Sequence, residues 1–247
     1  MLEMKNVSFH VNAEGENREI VRDVSLTVPD GRLVAVTGPN GGGKSTLARL
    51  IAGVEKPTAG QILFNGTDIT QMSITERARL GIGFAFQQPV RFKGIRVLDL
   101  IRIAAGKQLS VSDSCSYLAA VGLCARDYIG REVNASLSGG ELKRIEIATI
   151  LARKPALSVF DEPEAGIDLW SFQNLIEVFR GMREEIRDSS ILIISHQERI
   201  LEIADEIVVL RDGEVAEHGE RDAVLPALIG TPSAVTPCLR GQPGKGE

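Results

Sequence analysis

The sequence predicts an α/β fold with a largely parallel sheet at its centre, an antiparallel β region at its N-terminus and an inserted helical lobe. Nearly continuous apolar runs, such as RLVAVTG (residues 32–38) and ALSVFDE (residues 156–162), are typical of strands buried on both faces. Strands and helices alternate before residue 95 and after residue 153, whereas the stretch between them is helix-like throughout. The first thirty residues alternate polar and apolar side chains, which indicates an antiparallel hairpin.

The individual elements follow from short patterns along the chain. Residues 3–11 and 20–28 predict the hairpin strands, and residues 45–53 predict a helix that ends at a capping glycine, Gly53. Further strands are expected at 60–69, 81–87, 156–162, 190–196, 206–215 and 223–228, with a turn at 211–213. A long helix is expected to pack on the sheet through Leu169, Phe172, Leu175, Ile176, Phe179 and Ile186.

The composition excludes several classes of protein. With 43% hydrophobic and 25% charged residues the chain reads as globular, and its net charge of −5 disfavours a nucleic-acid partner. No stretch approaches the ~20 apolar residues of a membrane-spanning helix, and no signal peptide is evident. The three irregularly spaced cysteines form no disulfide or zinc pattern, which favours a reducing, cytoplasmic location. We expect one domain over residues 1–228, a helical subdomain at 90–153 and a flexible tail at 229–247.

A glycine-rich motif, GPNGGGKS at residues 38–45, lies between a predicted strand and a predicted helix. It fits the phosphate-binding pattern G-x-x-x-x-G-K-[ST], in which backbone N–H groups curl around an anion and a Cβ would obstruct the approach. Lys44 would reach the β- and γ-phosphates, Ser45 would coordinate Mg²⁺, and Thr46 would assist at the α-phosphate. The motif predicts a P-loop NTPase core but does not separate GTPases, kinases, motor ATPases and transport ATPases.

An acidic pair follows a second apolar strand, LSVFDEP at residues 157–163. We expect Asp161 to lie beside the phosphate loop and enter the Mg²⁺ shell, and Glu162 to orient and deprotonate a water. By itself the pair has an alternative interpretation, a capping DEP sequence before a turn.

A second anion site is predicted at LSGGE, residues 137–141, where a helix begins. Ser138 offers a hydroxyl, and Gly139 and Gly140 offer backbone N–H groups at the helix N-terminus. Because the chain already has one phosphate loop, the simplest explanation is that this turn serves a nucleotide held by another subunit.

Together these motifs resemble the ATP-binding-cassette (ABC) ATPases over about residues 1–228. In order, the chain presents the phosphate loop, a glutamine after a strand (FAFQQP, Gln87), the LSGG signature, the acidic pair, an AGID loop and a histidine after a strand (IISHQ, His196). The resemblance implies an RecA-like core, Mg²⁺-dependent ATP hydrolysis and two copies closing head to tail around two ATP molecules.

The resemblance also implies roles for single residues. Glu162, His196 and Gln87 would be catalytic, with His196 at the γ-phosphate; Ser45, Gln87 and Asp161 would hold Mg²⁺. The nucleotide would be bound by Gly38, Pro39, Asn40, Gly41, Gly42, Gly43, Lys44, Ser45, Thr46, Ser138, Gly139, Gly140, Glu141 and Asp168, the last of which would cross the dimer seam.

Within the family, several stretches resemble SufC-type ATPases of iron–sulfur cluster assembly. These are residues 81–104, REVN, LSGGELKRIE and SHQERIL, together with Glu141 in the signature and Val11 where transport relatives place an aromatic. Ala165, by contrast, departs from the serine usual in the loop after the acidic pair. This resemblance implies soluble SufB- or SufD-like scaffold partners. Two alternatives remain open: a nucleotide-binding subunit held at the membrane by transmembrane permease subunits, and a module that clamps ATP without hydrolysing it.

Overall fold

The computed structural model describes residues 1–13, 16–134, 136–185 and 189–230. Its strands are β1 (Leu2–Ala13), β2 (Glu16–Val28), β3 (Leu33–Thr37), β4 (Ala59–Phe64), β5 (Thr67–Asp68), β6 (Ile82–Ala85), β7 (Leu157–Asp161), β8 (Ser190–Ile194), β9 (Glu206–Arg211) and β10 (Glu214–Glu220). Its helices are α1 (Lys44–Ala52), α2 (Ile74–Arg79), α3 (Val97–Ala105), α4 (Val111–Ala120), α5 (Ala125–Tyr128), α6 (Gly139–Arg153), α7 (Leu169–Glu185), α8 (Glu198–Ile203) and α9 (Arg221–Gly230).

The strands form two sheets. The larger one has the order β10-β9-β3-β8-β7-β6, and every pair in it is parallel except the β9–β10 hairpin at one edge. The smaller sheet has the order β2-β1-β4-β5 and is antiparallel. The expected parallel core and N-terminal antiparallel region are therefore confirmed, and β7 and β3 are separated by β8.

The central strand β3 is buried on both faces, as its apolar run predicts. Leu33 and Ala35 pack into one core with the helical lobe and α7, whereas Val34 and Val36 pack into another with α1 and the N-terminal sheet. Because successive side chains of a strand point to opposite faces, this one strand joins both cores. The phosphate loop that follows β3 is thus anchored at the most buried part of the molecule.

A fully buried arginine, Arg77 of α2, ties α2 to the end of α1. Its guanidinium donates hydrogen bonds to the carbonyl oxygens of Leu50, Ile51, Thr70 and Met72. Leu50 and Ile51 belong to the last turn of α1, where carbonyl groups lack the regular helical partner, although that of Leu50 also accepts from the N–H of Gly53 (3.3 Å). Burial lowers the pKa of Arg77 to about 10, so the side chain remains charged at neutral pH.

Helices α3 to α6 occupy the predicted helical insert, but two other expectations are wrong. Residues 223–228 lie in the helix α9 rather than in a strand, because a short apolar run cannot be assigned by periodicity and alanine and leucine favour helix. Leu169 is 69% exposed at the start of α7 and does not pack on the sheet, whereas Phe172, Leu175, Ile176 and Phe179 are buried as expected. Ile186 lies outside the described residues.

Helix α9 continues through Gly230, two residues beyond the expected end of the domain, and residues 231–247 lie outside the described part of the chain. No helix in the ranges that the structure describes combines the length and apolar character needed to cross a membrane.

Candidate nucleotide-binding site

The loop between β3 and α1 has a backbone that only glycine accommodates. Gly38, Gly41 and Gly43 have positive φ angles of 136°, 80° and 94°. A Cβ on Gly38 would lie 2.0 Å from the carbonyl oxygen of Leu210, so the loop also packs directly on the backbone of β9. Gly38 and Gly43 are therefore required by both conformation and close approach, and Gly41 by conformation alone.

Lys44 begins α1 and lies beneath the loop with only 6% of its surface exposed. Its Nζ donates hydrogen bonds to the carbonyl oxygens of Gly38 (2.8 Å) and Pro39 (2.9 Å). Burial lowers the pKa of the Lys44 amine, while the nearby carboxylates of Glu162 and Asp161 act in the opposite direction. The amine thus holds the curled loop in shape at the point where an anion would sit.

Two of the three side chains predicted to hold Mg²⁺, Ser45 and Asp161, are in contact. Ser45 Oγ donates a 3.0 Å hydrogen bond to Asp161 Oδ1, although the strand that carries Asp161 is not a neighbour of β3. Asp161 is 1% exposed, and this burial raises its pKa, with the Ser45 hydrogen bond acting against the shift. A hydroxyl and a carboxylate side by side at the loop are the hard oxygen donors that Mg²⁺ takes alongside phosphate oxygens. The donor set therefore fits MgATP.

Glu162 follows Asp161 in a strained conformation, with a φ angle of 46°. Its backbone N–H donates to the carbonyl oxygen of Ile194 on β8, which fixes the turn (3.0 Å). Gln87, from the segment after β6, donates from Nε2 to Glu162 Oε2 (2.8 Å). The structure thus places the predicted base and the predicted glutamine together.

These groups line one cleft of about 500 Å³. It is bounded by Arg18, Ile20, Asn40, Gly41, Gly43, Lys44, Ser45, Thr46, Gln87 and Glu162. Sequence reasoning did not single out Arg18 and Ile20, which come from β2 of the N-terminal sheet. Because they belong to a hairpin with no motif, only the folded chain shows that they reach the phosphate loop.

Ser138 and Glu141 form a reciprocal cap at the start of α6. Ser138 Oγ accepts from the N–H of Glu141 (3.3 Å), and Glu141 Oε2 accepts from the N–H of Ser138 (2.7 Å). Tyr128 donates its hydroxyl proton to the other oxygen of Glu141, and this bond is the main cause of the lowered pKa of Glu141. Both carboxylate oxygens of Glu141 are therefore engaged within the chain.

The signature turn itself faces outward. Ser138 and Gly139 are exposed, and among the described residues the turn does not line the cleft that holds the phosphate loop of the same chain. A Cβ on Gly140 would lie 2.8 Å from the carbonyl oxygen of Gly166, so this turn packs on the loop that carries Asp168. Asp168 Oδ1 accepts from the N–H groups of Trp170 and Ser171 and caps α7.

His196 follows β8 at the same edge of the sheet, but it is exposed and does not line the cleft in the described part of the chain. Beneath it, Ser195 donates a hydrogen bond from Oγ to Glu164 Oε1 and accepts one from the N–H of Gln197 (3.0 Å). Burial raises the pKa of Glu164, and its second oxygen has no hydrogen-bond partner among the described residues. The fold therefore links the loop after Glu162 to the turn that carries His196.

The phosphate loop, the Ser45–Asp161 pair and the Gln87–Glu162 pair define a P-loop ATPase. The sequence profile of the family described as ABC transporter matches residues 21–165, which is 145 of the 247 residues. The chain belongs to this ABC transporter family. It is an ATPase that uses ATP together with Mg²⁺.

Individual relatives agree with this family. An uncharacterized ABC transporter ATP-binding protein of Methanocaldococcus jannaschii is 41% identical over 212 residues, which cover 83% of this chain and 84% of the relative. A sulfate/thiosulfate import ATP-binding protein CysA of Synechocystis is 35% identical over 208 residues, or 83% of this chain but only 57% of CysA.

Two solved structures are also similar. A dimeric ATP-binding cassette in a post-hydrolysis state with ADP and Pi has a TM-score of 0.80 at 25% identity, over 90% of this chain and 99% of its own. A bacterial Atm1-family ABC exporter with ATP bound has a TM-score of 0.78 at 28% identity, and the match covers 92% of this chain and 40% of the exporter chain.

Proposed function

We propose that two copies of this chain close around two MgATP molecules, with the phosphate loop of one copy facing the signature turn of the other. The observation that carries this proposal is the outward-facing turn at the N-terminus of α6, where Ser138 and Gly139 are exposed. A helix N-terminus with free backbone N–H groups attracts a phosphate. Because the turn lies outside its own chain's cleft, a second copy is the natural source of that phosphate.

The two glycines of the turn differ in a way that supports an external ligand. Gly140 is needed inside the chain, because a Cβ there would press on Gly166. At Gly139 a Cβ would meet nothing within 4 Å in the described residues, and the backbone there is ordinary helix. Its own chain therefore gives no reason for a glycine at 139, whereas a phosphate approaching the N–H groups does.

Within one cleft we propose a division of labour for hydrolysis. The loop from Gly38 to Gly43 and Lys44 bind the phosphates, with Thr46 at the α-phosphate. Ser45 and Asp161 would hold Mg²⁺, which would supply positive charge for the phosphate oxygens. Glu162 accepts the proton of the attacking water, and Gln87 orients that water. We further propose that His196 and Asp168 reach the nucleotide or the partner copy when the dimer closes, since neither lines the cleft of the single chain.

The comparisons favour a transporter subunit as the setting for this ATPase. We propose that residues 1–228 form the nucleotide-binding domain, with 90–153 as its helical subdomain, and that it drives a transmembrane permease subunit. A groove of about 200 Å³ next to Gln87 offers a docking place, since Phe84, Phe86, Val90, Phe92 and Ile103 are among the side chains that line it. Of these, Val90, Phe92 and Ile103 are 44%, 37% and 66% exposed, which is unusual for large apolar side chains clustered on a surface. We propose that an apolar helix of the permease occupies this groove.

A second candidate is the SufC-like role in a soluble iron–sulfur scaffold complex. The observation that favours it is Val11, which is 40% exposed beside the phosphate loop where an aromatic would stack on adenine. The SufC-like stretches of sequence point the same way. Under this proposal the groove would hold a SufB- or SufD-like protein instead.

Affinity capture from the native cell, in detergent, tests the two settings. Recovery of an integral membrane protein whose capture is lost in Ile103→Asp supports the transporter proposal. Recovery of soluble SufB- or SufD-like proteins without a membrane protein overturns it and supports the second candidate. The thermal unfolding temperature of Ile103→Asp is compared with wild type, because an unfolded variant would lose any partner.

A further inference from the structure

Helix α6 carries two buried charged side chains, Lys143 and Glu146, that face the segment containing Gln87. Lys143 is fully buried, and the side chain of Glu146 is 15% exposed. They lie one and two turns beyond the signature turn and have no role in the site as described so far. Charged side chains are almost never buried unless they are paired, so their presence here needs a physical reason.

The two side chains hold the backbone on both sides of Phe86. Glu146 Oε1 accepts a hydrogen bond from the N–H of Phe86 (3.1 Å), and Lys143 Nζ donates one to the carbonyl oxygen of Phe86. Lys143 also donates to the carbonyl oxygen of Gln87 (3.3 Å). The peptide groups next to Gln87 are therefore fixed by one helix, because β6 ends at Ala85 and provides no ladder for them.

Lys143 reaches the acidic strand as well. Its third hydrogen bond goes to the carbonyl oxygen of Asp161 (3.2 Å), the residue directly before Glu162. The amine and Glu146 Oε2 are 3.9 Å apart, which pairs the two charges. One ammonium group thus connects α6, the Gln87 segment and the end of β7.

We propose that Lys143 and Glu146 are positioning residues that set the relative placement of Gln87 and Glu162. This rests on the proposed roles of those two residues in hydrolysis. Reactive groups must be held within a fraction of an ångström, and such placement depends on a supporting set of hydrogen bonds. Neither Lys143 nor Glu146 lines the cleft, so the pair acts through the backbone and not on the nucleotide.

The energetics of the pair agree with a positioning role. Burial raises the pKa of Glu146 to about 7 and lowers the pKa of Lys143. The attraction between the two charges acts against both shifts, because it stabilises the ionised form of each side chain. Replacing a buried ion pair by apolar residues is often neutral or stabilising. Burial of the two charges is therefore not by itself a source of stability, and their specific hydrogen bonds are the feature that apolar residues would not reproduce.

Hydrogen–deuterium exchange in the nucleotide-free protein provides a direct test. In Glu146→Ala, exchange at the amide of Phe86 should be about tenfold faster, because its charged acceptor is lost. In Glu146→Gln the remaining carbonyl oxygen accepts the same bond, so exchange should return close to the wild-type rate. Thr149→Ala is the matched control on the same helix, because in the described part of the chain its hydroxyl donates to the carbonyl oxygen of Glu146 within α6 and not to the Gln87 segment.

Steady-state kinetics provide the second readout. Glu146→Ala and Lys143→Met should lower kcat about tenfold while KM for ATP stays within twofold, because the phosphate loop is untouched. Should Glu146→Ala fail to fold, Lys143→Met carries the test, since methionine keeps the unbranched stem in place.

The proposal is overturned if exchange at Phe86 and kcat both stay at wild-type values in Glu146→Ala and Lys143→Met. It is equally overturned if exchange rises throughout α6 and the large sheet, which would mean a general loss of stability. Because the exchange is measured without nucleotide, its result stands whether or not Glu162 proves to be the catalytic base.

Discussion

Gln87 Nε2 lies 2.8 Å from Glu162 Oε2 and donates a hydrogen bond to it. The contact is made possible by the sheet, since β6 and β7 are parallel neighbours in which Ala85 is opposite Phe160. Their carboxyl ends therefore meet at the same edge. Glu162 holds a positive φ angle of 46° there, a conformation that for a non-glycine residue is typical of functional sites. The two groups proposed to handle the attacking water are thus adjacent in the folded chain.

Glu162→Gln should abolish turnover without abolishing ATP binding. The amide cannot accept the proton of water, and loss of a general base lowers a rate by roughly 10²–10⁴-fold. Lys44, Ser45 and Asp161, which we expect to bind the nucleotide, keep their contacts with the loop and with each other. Phosphate release and equilibrium binding of ATP, measured on the same preparation, check the two halves of this prediction. Turnover at the wild-type rate would exclude Glu162 as the base.

Gly139→Ala and Gly140→Ala should affect different properties. In Gly139→Ala the added Cβ meets nothing within 4 Å in the described residues, so we expect the unfolding temperature to be retained or raised, since alanine favours helix. In Gly140→Ala the Cβ lies 2.8 Å from the carbonyl oxygen of Gly166, and the strain should destabilise the fold by about 1–3 kcal/mol.

Association in the presence of ATP separates these two variants further. Gly139→Ala should weaken it despite unchanged stability, because the methyl group occupies the path to the helix N-terminus. Thermal unfolding without nucleotide and sedimentation with ATP provide the comparison. If Gly139→Ala associates like wild type, the turn does not approach a ligand closely.

Arg77→Met should be among the most destabilising substitutions outside the cleft. It removes the guanidinium hydrogen bonds to the carbonyl oxygens of Leu50, Ile51, Thr70 and Met72, of which Leu50 still accepts from the N–H of Gly53. Leaving a buried carbonyl group without its hydrogen bond costs about 1–3 kcal/mol, and several such groups are affected at once. Urea unfolding measures the loss, with Arg79→Met on the same helix as the control. A loss below about 1 kcal/mol would show that water replaces the guanidinium.

Glu164→Gln should change how stability depends on pH. Burial raises the pKa of Glu164 above its ordinary value of 4.5, so between that value and the raised one the folded state binds a proton that the unfolded state has released. This contribution to wild-type stability is present at low pH and is lost as the pH rises through the folded pKa. Glutamine has no such titration.

The free energy of unfolding of wild type minus that of Glu164→Gln should therefore be larger at pH 5 than at pH 8. Urea titrations at both values measure this difference, with Glu177→Gln as an exposed control that pairs only with Arg180 in the described structure. Equal differences at the two pH values would contradict the raised pKa.

The parts of the site that the sequence predicted are those where the chemistry restricts the residue type. The glycines of the phosphate loop are such a case, because Gly38, Gly41 and Gly43 need positive φ angles. Lys143 and Glu146 could not be found in this way, because lysine and glutamate on a helix normally indicate a solvent-exposed face. Helix α6 is buried on several sides, at Leu142, Ile145, Ile147 and Ile150 among others. Its sequence therefore shows no regular polar face from which exposed and buried positions could be told apart. The strand predicted at residues 223–228 was wrong for a related reason, since a run of six apolar residues is compatible with a strand or a helix.

Sedimentation of Glu162→Gln with MgATP tests the central claim most directly, because that variant should hold ATP without consuming it. We predict that its mass doubles with ATP and not with ADP, and that adding Ser138→Arg returns it to a monomer that still binds ATP. A Glu162→Gln protein that is saturated with ATP yet remains a monomer would contradict the account, as would a dimer that forms unchanged in the presence of Ser138→Arg.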